Sequence, residues 1–212
     1  MAVAQQGFEG VGVFFNPKSV AVIGASKDTA SVGFGVLKSL LFGAVFDYGA
    51  SVPFAGKVFA VNPNATEILG VKCFSSILEV PDEVDLAVVC VPAKIVPQVA
   101  RECSQKKVKA LVVVSAGFAE TGELGKALQD ELVSIAKSAG MRLLGPNCLG
   151  IIRPSAHLNA SFALTAPRPG SVAFVSQSGA LADSVIDWAV ENNYNFSAIV
   201  SLGNSADLDA SD

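Results

Sequence analysis

The chain has 212 residues, enough for one full domain and part of a second, since domains usually hold about 100 to 150 residues. Its 15 basic and 19 acidic residues give a net charge of -4 without any Lys/Arg cluster, which argues against nucleic-acid binding. Its apolar runs are far shorter than the ~20 residues that span a bilayer, so we expect no membrane insertion.

The composition favours a buried parallel sheet. Hydrophobic residues make up 51% of the chain and charged residues 16%, a balance typical of strands covered by helices on both faces. The four cysteines have no C-x-x-C spacing, and the N-terminal residues lack the pattern of a secretion signal. We therefore expect a cytoplasmic protein without a metal site.

Strand-like and helix-like segments alternate along the first 150 residues. Short β-rich runs occur at residues 19–23, 57–61, 86–91, 110–114 and 142–144. Apolar residues at helical spacing lie between them, notably over residues 32–41 and 124–135. Parallel strands need crossover connections, so the alternation predicts an α/β fold: a doubly wound, Rossmann-like parallel sheet with helices on both faces.

Prolines and a glycine interrupt this alternation at Pro167, Pro169 and Gly170. A second set of elements follows, with a strand at 172–175, a helix at 180–191 and a strand at 197–202. One β-α-β unit cannot close a core alone, so it is the start of a truncated, flavodoxin-like domain. The predicted organisation is a first domain at 1–150, a linker at 151–170 and the second unit at 171–212.

The turn after the first strand suits a phosphate. Gly24, Ala25 and Ser26 end the strand, and Gly33 opens the next helix. In open α/β sheets, ligands bind beyond the carboxyl ends of the strands, where small residues let a phosphate approach the N–H groups of a helix N-terminus. A nucleotide-like ligand is predicted, although the G-x-G-x-x-G spacing is incomplete and glycines also fit a plain tight turn.

The end of the second strand narrows the choice of nucleotide. It reads Asn62-Pro63-Asn64, without the acidic residue that binds the ribose of NAD. A neutral end suits a ligand whose ribose carries a phosphate, as in coenzyme A (CoA). NADP makes the same electrostatic demand, so these residues leave both ligands open.

Four motifs together resemble the α portion of the NDP-forming (ADP-forming) acyl-CoA synthetases and, more distantly, of succinyl-CoA synthetase. The motifs are NPKSVAVIGAS at 16–26, SAGFAETG at 115–122, GPNCLG at 145–150 and SQSGAL at 176–181. The resemblance runs from Phe15 to the end of the chain. It implies a first domain that binds CoA, with the diphosphate at the first turn, the adenosine and pantetheine along later strand ends, and the thiol near Cys148. The implied binding residues are Gly24, Ala25, Ser26, Ser31, Val32, Gly33, Asn62, Pro63, Val91, Pro92, Ala93, Ser115, Ala116, Gly117, Asn147 and Cys148.

The resemblance also implies a ligase reaction in which a small carboxylic acid, CoA and ATP give acyl-CoA, ADP and phosphate through an acyl phosphate and a phosphohistidine. ATP, ADP and Mg²⁺ would bind an ATP-grasp portion, as a β subunit or a fused domain. The phosphohistidine is expected beyond Asp212, so no catalytic residue is assigned here and the isolated chain is expected to be inactive. The one histidine, His157, lacks the glycine-flanked context and is interpreted as a bystander.

A phosphate cradle for that missing histidine is predicted at Ser176, Gln177, Ser178 and Gly179. A strand runs directly into this turn, and the following helix opens there with unpaired N–H groups and the positive end of its dipole. Ser178 also fits a simple helix cap, and the two roles can coexist.

Two features depart from the family pattern. Asn64 stands where a basic residue is common, so Lys27 or Lys72 is a candidate replacement. Residues 42–55 are longer than usual and contain Phe42, Phe46, Tyr48 and Phe54, which we expect to pack against this module or a partner subunit.

Two other functions stay open at this point: the regulatory front end of a protein lysine acetyltransferase, and a stand-alone CoA-binding protein. An NADP dehydrogenase is a weaker alternative. The residues that select the acyl chain are not identifiable from the sequence.

Overall fold

The apolar runs of the sequence form the strands of a computed structural model, which describes residues 10–46 and 51–212. The strands are β1 (Ser19–Ile23), β2 (Lys57–Val61), β3 (Glu67–Ile68), β4 (Val71–Phe74), β5 (Leu86–Val89), β6 (Ala110–Val113), β7 (Arg142–Leu144), β8 (Gly150–Arg153), β9 (Leu158–Ser161), β10 (Pro169–Ser176) and β11 (Phe196–Ser201). The helices are α1 (Gly12–Phe15), α2 (Val32–Phe42), α3 (Val96–Lys106), α4 (Glu123–Ser138) and α5 (Gly179–Glu191).

The first sheet has the order β3-β4-β2-β1-β5-β6-β7. All of its pairs are parallel except β3 with β4. Every residue of β1, β5 and β6 is buried, as expected for strands covered on both faces. The predicted doubly wound parallel sheet is therefore confirmed.

Successive residues of β1 point to different cores because side chains alternate along a strand. Val20 and Val22 pack with the apolar face of α2, including Leu37. Ala21 and Ile23 lie in a second core with α3 and α4. The helices therefore cover both faces of the sheet, with α2 on one side of β1 and α3 and α4 on the other.

The edge hairpin of β3 and β4 was not predicted. Its two strands are only two and four residues long, and they are joined through Leu69 and Gly70, which both have positive φ. Strands this short give no period-2 signal, so the sequence pattern cannot separate them from a loop.

The predicted linker over 151–170 is instead part of a second sheet, with the order β10-β11-β8-β9. Strands β8 and β9 form an antiparallel pair within the supposed linker, and β8 pairs with β11. Strands β10 and β11 are parallel and α5 connects them, so the predicted β-α-β unit is present. Residues 150–161 thus form strands where an irregular connection was expected, because the prolines and the glycine that interrupt the pattern lie beyond β9.

The chain after β11 returns to the edge of the first sheet. The N–H groups of Asn204 and Ala206 donate to the carbonyl oxygens of Pro146 and Gly145, at 2.9 and 3.1 Å. The carboxylate of Asp207 accepts from the N–H of Leu143 at 2.9 Å and from Nε of Arg142 at 3.0 Å. These bonds join the two sheets.

The segment after α2 also packs on this chain. The N–H of Phe46 donates to the carbonyl oxygen of Leu164 at 2.8 Å, and that of Phe54 to Leu40 at 2.9 Å. Phe42 and Phe46 are exposed, whereas Tyr48 lies outside the described residues. Among the described residues, every helix falls short of the length and apolarity needed to cross a bilayer.

Candidate functional site

The parallel strands place their carboxyl ends side by side at one rim of the first sheet. Each strand end is hydrogen-bonded to its neighbour: the N–H of Gly24 donates to Val61, that of Cys90 to Ile23, and that of Val114 to Val89, at 2.8–3.0 Å. The predicted binding segments follow these ends. They are therefore brought together as the topology rule for open α/β sheets requires.

The turn between β1 and α2 is packed too tightly for larger residues. Gly24 has φ +91°, and a Cβ there would lie 2.9 Å from the carbonyl of Cys90. A Cβ at Gly33 would overlap the carbonyl oxygen of Gly24. The start of α2 is thus held directly against the end of β1.

The N-terminus of α2 presents free donors at this rim. Ser31 is the N-cap, and its Oγ accepts from the N–H of Phe34 at 3.2 Å. Within the described part of the chain, the N–H groups of Val32 and Gly33 have no acceptor. Two unpaired N–H groups and the positive helix end form a suitable environment for a diphosphate.

Asn62 supports the turn from the neighbouring strand end. Its Nδ2 donates to the carbonyl oxygen of Ala25 at 2.7 Å, and its Oδ1 accepts from the N–H of Asn64 at 2.8 Å. Its amide is therefore already used inside the protein, and Pro63 beside it is exposed. Of the two candidate basic residues, Lys72 lies over the ring of Phe74, 5.0 Å from its centroid, on β4.

The strand ends of β5, β6 and β7 are tied to one another. Oγ of Ser115 donates to the carbonyl oxygen of Val91 at 2.5 Å, and the N–H of Asn147 donates to that of Ser115 at 3.0 Å. Gly117 has φ +107°, and a Cβ there would lie 3.0 Å from Cβ of Ala93. These contacts fix the three loops as one wall.

A cleft of about 830 Å³ runs between this wall and the start of α5. Several predicted residues line it together, from both predicted sites: Val32, Val91, Pro92, Ser115, Ala116, Asn147, Cys148, Gln177, Ser178 and Gly179. Other predicted residues, such as Gly24, Asn62 and Gly117, lie behind or beside its lining and shape it. The cleft joins the predicted CoA path to the predicted cradle.

Six lining residues were missed by the sequence analysis: Cys90, Val114, Leu149, Phe162, Ala180 and Asp183. Phe162 was hidden in the supposed linker, and Asp183 lies one turn inside a helix, where no motif marks it. These residues reach the cleft only when the second sheet folds against the first, so their local sequence does not mark them.

Cys148 is a neutral wall residue. Its thiol is buried and lies 3.4 Å from the carbonyl oxygen of Val113. Burial raises the pKa of the Cys148 thiol to about 12, and burial with the nearby Cys148 raises the pKa of Cys90 to about 12. Both thiols stay protonated at neutral pH and are poor nucleophiles.

The predicted cradle lies at the junction of β10 and α5. Oγ of Ser178 caps α5 by accepting from the N–H of Leu181 at 3.2 Å, and Oγ of Ser176 accepts from the N–H of Ser178 at 3.1 Å. The N–H groups of Gly179 and Ala180 have no acceptor among the described residues. The cap and free donors therefore coexist in one turn.

His157 lies away from this cleft. It is exposed, has φ 52°, and occupies the turn between β8 and β9. Within the described ranges, no three His, Cys, Asp or Glu side chains are grouped closely enough to hold a metal ion.

Comparison with known families and proteins gives consistent matches. Residues 18–154 match the family described as CoA binding domain, and residues 169–212 match the succinyl-CoA ligase like flavodoxin domain. The chain is 48% identical over 198 residues to acetate–CoA ligase (ADP-forming) I of Archaeoglobus fulgidus, covering 93% of this chain and 27% of that protein. It is 47% identical over 199 residues to the alpha subunit of acetate–CoA ligase (ADP-forming) II of Pyrococcus furiosus, covering 94% and 41%.

A solved structure has the same fold. The dinucleotide forming acetyl-coenzyme A synthetase 1 of Ca. Korarchaeum cryptofilum, in complex with phosphate and ADP, aligns with a TM-score of 0.84 and 44% identity, over 93% of this chain and 40% of that one. The chain thus spans less than half the length of each of these relatives. None of the three is named as an acetyltransferase, so that alternative is not supported.

Proposed function

Because this chain belongs to the CoA binding domain family, we propose that it is the CoA-binding part of an ADP-forming acid–CoA ligase. The observation that supports this proposal most strongly is the cleft that connects the rim of the parallel sheet to the N-terminus of α5. Such a cleft brings a thiol from one side and a phosphorylated acyl group from the other into one space. Thioester formation from an acyl phosphate requires that meeting.

CoA lies along the rim in this proposal. Its diphosphate accepts from the free N–H groups of Val32 and Gly33, and its pantetheine passes Ser115 and Ala116 toward Cys148. Backbone donors are favoured here because no Lys or Arg lines the cleft within the described residues. Because the Cys148 thiol stays protonated at neutral pH, it does not compete with the CoA thiol as a nucleophile.

The free donors of Gly179 and Ala180 bind the phosphoryl group of the acyl phosphate and of the phosphohistidine. A Cβ at Gly179 would lie 3.5 Å from the backbone nitrogen of Leu149, an ordinary contact, whereas a branched side chain reaches into the cleft. In the complete enzyme, Gly179→Val should abolish phosphorylation of the histidine by acyl phosphate, and Gly179→Ala should keep it. Normal phosphorylation of the valine variant would contradict the cradle.

The rest of the reaction needs regions outside these 212 residues. We infer an ATP-grasp partner, as a separate β subunit or a fused domain, that binds ATP or ADP with Mg²⁺, and a cytoplasmic location for the assembled enzyme. We also infer a domain boundary close to residue 150, with β8 and β9 belonging to the second unit. A small carboxylic acid is the substrate class.

Isothermal titration calorimetry of the purified chain tests the binding function. CoA should bind with one site per chain, NADP should not bind, and the variant Ala116→Trp, which fills the cleft, should lose CoA binding. The matched control Ala127→Trp changes an exposed residue of α4 outside the cleft lining and should keep CoA binding. Binding of NADP without CoA would make the chain a dehydrogenase module and overturn the proposal.

A further inference from the structure

Asp183 is the one charged side chain among the described residues that line the cleft. It is half-buried on α5, and no hydrogen bond or ion pair within the described ranges involves its carboxylate. Its neighbours in the lining are small, apolar or neutral, such as Leu149, Phe162 and Ala180. A carboxylate in these surroundings has no internal partner that would explain its position.

The position of Asp183 relative to the cradle can be derived from helix geometry. It follows Gly179 by four residues, so it lies on the same face of α5, about 6 Å further along the axis. Side chains of a helix tilt toward its N-terminus, so the side chain of Asp183 leans toward a group bound by the free donors of Gly179, and both residues line the same cleft. An acyl phosphate bound there has its acyl chain in the cleft that Asp183 lines.

No basic side chain faces Asp183 among the described residues of the cleft lining. Burial and, after it, the nearby Asp187 carboxylate raise the pKa of Asp183 above the ordinary value of an aspartate. Asp187 itself is exposed, lies outside the cleft lining, and its Oδ1 accepts from Oγ1 of Thr165 at 3.0 Å. An anionic ligand group next to Asp183 would be repelled, whereas a hydrogen-bond donor would be attracted.

We propose that Asp183 selects the acyl group: it excludes acids with a second carboxylate and favours monocarboxylic acids whose chain carries a hydroxyl or another hydrogen-bond donor. This inference rests on the proposed CoA ligase function and names the substrate class of the same cleft. The first carboxyl group reaches the helix N-terminus, and the far end of the chain meets Asp183. Two carboxylates a few ångströms apart in a partly desolvated cleft lower affinity by at least about tenfold.

Calorimetry with three thioesters of similar size tests the inference on the chain itself. Butyryl-CoA, succinyl-CoA and 3-hydroxybutyryl-CoA differ mainly in the group that faces Asp183. The wild type should bind succinyl-CoA at least about tenfold more weakly than butyryl-CoA. It should bind 3-hydroxybutyryl-CoA about threefold to tenfold more tightly than butyryl-CoA.

The isosteric variant Asp183→Asn should reduce the discrimination against succinyl-CoA to less than about threefold, because it removes the charge but keeps the shape. The control Asp187→Asn makes the same charge change one turn away and should keep the wild-type ratio. Equal affinity of the wild type for succinyl-CoA and butyryl-CoA, or an unchanged ratio in Asp183→Asn, would overturn this inference alone. Failure of the wild type to bind CoA itself would overturn the proposed function as well.

Discussion

Nδ2 of Asn204 donates a hydrogen bond of 2.6 Å to Oε2 of Glu120, although the two residues are 84 positions apart. Oε1 of Glu120 accepts from the N–H of Gly117 at 2.5 Å and from that of Phe118 at 3.1 Å. One carboxylate thus holds the loop after β6 and the turn after β11. The CoA rim and the second sheet are coupled through this pair.

Glu120→Ala should weaken CoA binding about fivefold, because loss of the carboxylate releases the loop that carries Ser115 and Ala116. Asn204→Ala should have a smaller effect of the same sign. In calorimetry, the double variant should lose less affinity than the sum of the single losses, since both changes break one bond. The control Glu123→Ala changes an exposed neighbouring carboxylate and should leave CoA affinity unchanged. If the losses of affinity in the two single variants add up in the double variant, Glu120 and Asn204 act independently.

The buried carboxylate of Asp85 stabilises the opposite end of the sheet. Its Oδ2 accepts from the N–H of Lys18 at 2.7 Å, and its Oδ1 pairs with Nζ of Lys109 at 2.7 Å. Asp85→Ala leaves that N–H unsatisfied and should lower the free energy of unfolding by about 1–3 kcal/mol in urea denaturation. Asp82→Ala, which breaks an exposed pair with Lys57, should cost less than about 1 kcal/mol, and equal losses would contradict this account.

The stabilisation by Asp85 should depend on pH. Burial alone would raise the pKa of Asp85, but the Lys109 ammonium and the backbone N–H groups of Lys18 and Ser19 lower it, so the net shift of the pKa is downward. A carboxyl with a lowered folded pKa stabilises the protein above its unfolded pKa of about 4, and this contribution is lost as the pH falls through the folded value. The stability difference between the wild type and Asp85→Asn should therefore be constant from pH 5 to 7 and shrink below about pH 4. A stability difference that grows as the pH falls would mean that the pKa of Asp85 is raised, not lowered, in the folded protein.

How far the sequence predicts the structure depends on the range of the signal. Five of the seven strands of the first sheet and the turn at Gly24 follow from apolar runs and local turn residues, and all five runs start and end within two residues of the observed strands. Strands β8 and β9 were missed because each is only four residues long and is stabilised by pairing: β9 pairs with β8, and β8 pairs with β11, where Ile152 lies opposite Ile199. Local patterns carry no information about such pairing.

The same distinction applies to the candidate site. Ser115 and Cys148 were found because they follow buried strands, where ligands of parallel sheets bind. Phe162 and Asp183 face the same cleft only because the second sheet folds against the first. Their placement depends on contacts between distant segments, such as the bond from the N–H of Leu149 to Oγ of Ser201 at 3.0 Å.

Gly33 and Gly35 provide a matched pair on one helix. A Cβ at Gly33 would overlap the carbonyl oxygen of Gly24, whereas a Cβ at Gly35 would lie 3.6 Å from Cβ of Phe162, an ordinary contact. Gly33→Ala should therefore push α2 away from the end of β1, lower the melting temperature and reduce CoA affinity at least about tenfold. Gly35→Ala should keep both values close to wild type; similar behaviour of the two variants would mean that close packing at Gly33 is not required.

A crystal structure of the complex with CoA would show whether CoA occupies the cleft between the strand ends and α5. We expect the diphosphate within hydrogen-bonding distance of the N–H groups of Val32 and Gly33. The pantetheine should pass Ser115, with its sulfur beside Cys148 and facing the start of α5. CoA bound elsewhere on the protein, with the cleft free of ligand, would rule out this binding mode.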